Sequence, residues 1–207
     1  MPRPYNKLFS PANSTASFFS AAATGASFTL SNNAIGDGLG HKVSITGNGA
    51  TDLSAINVTV VGLDSDGIAQ RETFALPNGA ATVTSTYFYS SLTSVTPAST
   101  IGVATVKITY TGAAAGPAFP LDWRSGLPIL DVILTGTGNY TVQFTDDLVN
   151  EGALPPFNWL SNTGSALTNA TDSESDTFAA IPIAVRLLIN SYSNAATFLF
   201  QISQKNF

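Results

Sequence analysis

The sequence predicts an all-β protein, two β-sandwich domains preceded by an extended N-terminal arm. Three observations carry this. Runs of β-branched and aromatic residues alternate apolar with polar at a period of two, turn signals recur every ~8 to 12 residues, and no stretch keeps a helical period. At 207 residues the chain is long enough for two small domains or one large one, each burying a core without covalent staples. With no cysteine, disulfides and thiolate metal sites are excluded, so packing and strand pairing must hold the fold.

The arm is assigned to residues 1–26. Pro2, Pro4 and Pro11 forbid helix, and Tyr5, Leu8 and Phe9 are expected to seek a neighbour's groove rather than water. Arg3 and Lys7 ahead of the apolar stretch 18–26 are reminiscent of a signal peptide. Pro11, Asn13, Ser14 and Thr15 interrupt any continuous apolar region there, so the arm reading is preferred.

The first domain is assigned to 27–111. Strands are expected at 27–30 and 42–46, separated by the Gly-rich loop 33–40. The strongest local signal follows in residues 57–76, where two β-branched runs flank Asp64-Ser65-Asp66-Gly67, the pattern of a tight hairpin. Asn78-Gly79 turns the chain into strands at 81–89 and 92–96. In 103–110, Ala104, Val106, Ile108 and Tyr110 fall on one face and Val103, Thr105, Lys107 and Thr109 on the other.

Small residues and two prolines at 112–120 read as a linker. The second domain, 121–207, restarts with strands at 127–134 and 140–145 around the turn 136–139. After a long loop at 146–177 it ends with strands at 183–191 and 197–204, expected to pair as a hairpin through 192–196. The long loop holds Leu154-Pro155-Pro156-Phe157-Asn158-Trp159-Leu160, whose Phe157 and Trp159 are candidate contact residues alongside Tyr5, Leu8 and Phe9, although large aromatics in such a loop more often cap an open end of their own sandwich.

Chemistry is sparse. The single His41 has no cysteine near it and no nucleophile elbow to serve. Asp64-Ser65-Asp66-Gly67 opens like a calcium loop but lacks the remaining ligands, so a tight turn accounts for both aspartates. The acidic stretch 172–176 and the pair Asp146-Asp147 read as solvated loop charge, and no catalytic residue, metal site or cofactor is assigned. Charged residues make up 10% of the chain, against roughly 25% in an ordinary soluble domain. The net charge of −5 and the scattered Lys and Arg argue against nucleic acid and against an anionic membrane surface as partners. So neutral a surface suits protein neighbours.

Residues 58–67, with Gln70-Arg71-Glu72-Thr73-Phe74 and the stretch 86–95, resemble an Ig-like module of tailed-bacteriophage structural proteins. Residues 140–147, 181–192 and 200–204 are similar to a phage virion domain, so the resemblance spans most of 55–204. It implies an Ig-like first sandwich, a jelly-roll-like second one, no catalytic residues and a place in the virion. The role implied is that of a capsid decoration or cement protein, a homo-oligomer, taken as a trimer, bound to the major capsid protein or other virion proteins. Two alternatives remain open at this point: a tail, adaptor or head-fibre component, and a carbohydrate-binding module using Trp123 and Trp159 as stacking platforms.

Overall fold

The computed structural model describes residues 5–12, 19–23, 28–122, 124–147, 149 and 157–204. Its regular structure is all strand, as the alternation predicts. In chain order the strands are β1 (Tyr5–Phe9), β2 (Phe19–Ala23), β3 (Gly40–Gly47), β4 (Asn57–Leu63), β5 (Ala69–Ala75), β6 (Thr82–Tyr89), β7 (Ser91–Pro97) and β8 (Val106–Ala115). They continue with β9 (Phe119–Pro120), β10 (Ile129–Thr135), β11 (Gly138–Thr145), β12 (Leu160–Ser161), β13 (Glu174–Thr177), β14 (Ala184–Tyr192) and β15 (Thr197–Ser203). The strands fall into two compact units, Ala12–Gly112 and a second made of Met1–Pro11 with Ala113–Phe207.

In the unit Ala12–Gly112, β3 lies between β8 and β6, with β2 also pairing β8, and a three-stranded sheet has the order β5-β4-β7. The predicted hairpin forms in register from Asn57↔Ala75 to Leu63↔Ala69. Its turn is closed by Asp64, whose Oδ1 accepts the amides of Asp66 and Ile68 at 2.9 Å each, while Gly67 takes a φ of +77°. The Asp64 carboxylate is thus accounted for by turn geometry.

The alternation in β8 is as read from the sequence: Val106, Ile108 and Tyr110 are buried and Lys107 is exposed. Their apolar face joins Val43, Ile45, Val58, Val60 and Val95 in one core. The strand starts three residues later than expected, because Val103 is 99% exposed and has nothing to pack against. Residues 28–30 are likewise not a strand: Phe28 donates its amide to the Val95 carbonyl at 3.3 Å without continuing a ladder.

Glu72 of the hairpin has an unanticipated task. Where β6 slips register against β3, its carboxylate accepts the amides of Thr86 and Tyr87 at 2.7 and 3.1 Å. Ser85 completes the irregular stretch, accepting the Val43 amide and donating to the Tyr87 carbonyl, both at 2.8 Å. The bulge thus keeps its backbone groups satisfied by side chains.

In the other unit one sheet has the order β1-β15-β10-β13, and the second contains β12-β11-β14, with β9 and the end of β8 also pairing β14. Phe198, Phe200 and Ile202 on β15, Leu130 and Val132 on β10 and Phe9 on β1 form a buried face. Opposite it stand Tyr140, Val142, Leu187 and Ile189. The two faces meet edge to face at Tyr140 and Phe198, ring centroids 6.0 Å apart, and Phe119 meets Phe200 at 5.6 Å. The Tyr140 hydroxyl donates to the Asp172 carbonyl at 2.9 Å, and burial, with the Glu174 charge second, pushes this phenol up to about 12.

Four expectations are corrected here. The arm is not free: Tyr5–Phe9 pairs antiparallel with β15, from Tyr5↔Ile202 to Phe9↔Phe198, so three prolines exclude helix but leave room for an edge strand. The supposed linker 112–120 is largely strand. Ala114 and Ala115 are buried where β8 pairs β14, and a Cβ on Gly116 would stand 3.0 Å from the Phe9 ring, so smallness there serves close packing. The stretch 146–177 contains β12 and β13. Finally, the last two strands are not a hairpin: β14 pairs β11 while β15 pairs β10 and β1, and the turn carrying Ala195 at a φ of +76° passes the chain between sheets.

Candidate interaction surface

The five expected contact residues all lie in the unit built from Met1–Pro11 and Ala113–Phe207, but not on one face. Phe9 is 2% exposed and belongs to that unit's own core, so it is unavailable to a partner. Tyr5 covers Phe119, ring centroids 4.5 Å apart, and burial raises its hydroxyl pKa. Leu8, 58% exposed, points away from the core.

Register explains Leu8. It sits opposite Leu199 on β15, which sits opposite Ile133 on β10, so three apolar side chains form a row across the outward face of the sheet. Ile133 is 46% exposed and Leu199 half-buried. The next row is Asn6, Gln201, Asp131 and Ser175, in which the Gln201 amide donates to Asn6 Oδ1 at 3.2 Å. Ile129, also exposed, lies beyond it. A signal for this surface was present in the sequence. Residues 129–134 are apolar on both faces except at Asp131, whereas a half-solvated antiparallel strand normally alternates.

Phe157 and Trp159 lie in irregular chain just before β12, at the edge of the other sheet. Leu160 on β12 pairs Phe144, and Trp159 lies 4.3 Å under the Arg186 guanidinium. Arg186 also donates Nε and Nη2 to Gln143 Oε1 at 2.9 and 2.7 Å across the β11–β14 pair. The guanidinium therefore covers Trp159 on one side, and both aromatics are half-buried. Trp123, the other expected stacking platform, lies outside the described residues, as do residues 13–18 and 24–27 of the leader-like stretch.

Two acidic groups of the stretch 146–177 are engaged in structure. Asp176 accepts the Ser165 hydroxyl and the Ala166 and Thr177 amides; the Ser165 bond first, then the Thr177 amide, lowers its pKa. Asp147 accepts the Asn158 amide. Among the described residues no group of three His, Cys, Asp or Glu is placed to hold a metal ion.

His41 is 1% exposed, and its Nε2 donates to Asp37 Oδ2 at 2.9 Å. Its Nδ1 is buried without a hydrogen-bond partner among the described residues, and the Tyr110 ring stands 4.9 Å away. Asp37 also accepts the Ala12 amide at 2.9 Å and the Leu39 amide at 3.0 Å. Buried and carboxylate-anchored, His41 ties the loop to β3.

This pair sets an acid dependence. Burial alone pushes the Asp37 carboxyl up, but the His41 hydrogen bond, the Ala12 amide, the His41 charge and the Leu39 amide together outweigh it and hold the carboxyl below its ordinary value. The stabilisation is therefore present above the unfolded value of about 3.9 and is lost as pH falls through the lower folded value. Asp37→Asn is expected to be less stable than wild type near neutrality, the two converging in strong acid. Parallel curves of stability against pH would exclude this role for Asp37.

Compared with family models, with curated proteins and with solved structures, the chain matches none.

Proposed function

We propose that this chain is a structural protein of a tailed-bacteriophage virion, a capsid decoration or cement protein that binds the outer head surface. In this reading the two units are an Ig-like sandwich and a jelly-roll-like sandwich, and the working form is a homo-oligomer. The observation that carries it is the exposed row Leu8, Leu199 and Ile133, on a chain with only 10% charged residues. Isolated exposed apolar residues are ordinary; aligned across three strands they make a protein-contact surface. A decoration layer needs such surfaces, few charges to strand at repeated contacts, and no chemistry.

The test is quantitative mass spectrometry of purified particles, comparing copies of this chain with copies of the major capsid protein. Comparable copy numbers support a decoration layer. A number fitting one vertex moves the chain to the tail or a head fibre, and absence from particles refutes the virion reading.

A further inference from the structure

We propose that the outward face of the β1-β15-β10-β13 sheet is the capsid-docking surface, and that it receives an apolar patch of the capsid protein carrying a lysine or arginine against Asp131. The partner's identity rests on the virion reading above; the chemistry of the face does not.

The face is defined by register. Its rows are Leu8, Leu199 and Ile133; then Asn6, Gln201, Asp131 and Ser175; then Ser203, Ile129 and Thr177. Lys7, Glu174 and Asp176 are on the same strands but in the alternate rows, which face the other way. Among the described residues Asp131 is thus the only charge in these three rows, and its carboxylate has no hydrogen bond or ion pair. An unpaired carboxylate with exposed Ile133 and Ile129 on either side of it along β10 costs little in water. Covered by a purely apolar partner it would be stranded, at a cost no shape complementarity recovers.

That cost decides the occupant. A second copy laid face to face with the two-fold axis near Asp131, the middle of this face, would bring Asp131 toward Asp131, a like-charge pair in a shrinking dielectric, and with the axis elsewhere these three rows offer Asp131 no cation. A partner with a cation set among apolar side chains removes the penalty and gains a charge-assisted hydrogen bond.

Size indicates how strong the contact is. Strands of five, seven, seven and four residues, about 4.8 Å apart, give a face of roughly 350 Å² in projection. One partner's share of a standard interface is about 800 Å². One such contact is weak, and firm attachment requires several faces engaged at once, as in an oligomer on a repeating lattice.

The experiment rebinds the full chain to purified capsids lacking it, at low and high salt. Wild type, Asp131→Asn, Asp131→Lys and Ile133→Thr are compared with Asp146→Lys, an exposed acid off this face. All four substitutions are at exposed or half-exposed positions, and unchanged circular dichroism shows that each variant is folded. Asp131→Lys is expected to weaken binding by about tenfold or more, and Asp131→Asn to weaken it less while flattening its salt dependence. Ile133→Thr should also weaken binding, and Asp146→Lys should bind as wild type. If wild type binds and every Asp131 and Ile133 variant binds equally, the docking face is wrong while the virion reading stands. If wild type fails to bind, both fall. If the Asp131 variants instead change self-association of the free chain, the occupant is a second copy and this proposal is overturned.

Discussion

Phe198→Ala is expected to destabilise the unit containing β10 to β15 by about 3–5 kcal/mol. Phe198 is fully buried, sits in one cross-strand row with Phe9 and Leu134, and meets Tyr140 edge to face. Its ring occupies space that Gly138 leaves open: a Cβ there would stand 2.6 Å from the ring tip and 3.2 Å from the Ser191 carbonyl oxygen. Truncation therefore opens a cavity bounded by strands from two sheets, which cannot both collapse into it. The readout is unambiguous, because both tryptophans of the chain, Trp123 and Trp159, belong to this unit. Denaturation followed by tryptophan emission should show a lower midpoint at unchanged slope. Gly138→Ala should also destabilise wild type, yet cost much less when added to Phe198→Ala, since the ring it strikes is gone. Strict additivity of the two changes would contradict the packing described.

How much of this was legible beforehand depends on whether the decisive interaction is local. The Asp64 to Gly67 turn and its hairpin were readable because the turn's hydrogen bonds come from residues two and four positions away. The buried face of β8 was readable because a half-buried strand writes its environment into a period of two. The turns around Gly136 and Ala195 told only that the chain reverses. Which sheet receives the next strand is decided by the apolar faces of β10, β14 and β15, and both outcomes use the same turn residues. Ala114, Ala115 and Gly116 misled for a related reason: small residues mark a linker when solvated and a close approach when buried, and only Phe9, more than a hundred positions earlier, decides between them. The candidate surface was half legible. Leu8 was found from its own exposure to proline-rich sequence, whereas Leu199 and Ile133 join it only through register.

Gly62→Ala is expected to cost the unit Ala12–Gly112 about 3 kcal/mol, at the upper end of what an added methyl group usually does. Nothing in the hairpin sequence marks Gly62, which occupies an ordinary strand position on β4 with no positive φ. The reason lies on the neighbouring strand. Pairing between β4 and β7 shifts register between Val61 and Gly62, and there the β7 backbone crowds inward. A Cβ on residue 62 would collide with the Ser91 carbonyl oxygen and stand 2.9 Å from the Tyr89 ring and 3.1 Å from the Leu92 Cα. Two of those three atoms are backbone, so relief requires the strands to part, and Tyr89 and Leu92 are themselves in the core. Gly67→Ala, five residues on, provides the contrast. Nothing lies within 4 Å of its Cβ, and only the φ of +77° opposes the change, a conformational cost of about 1 kcal/mol. Asparagine, which tolerates the left-handed region, should therefore recover most of the loss at position 67 and none at 62. Amide hydrogen exchange in peptides spanning β4 and β7 should quicken in the Gly62 variant alone. Equal losses at the two glycines would mean that chain conformation, not the close approach of β7, is what glycine provides at 62.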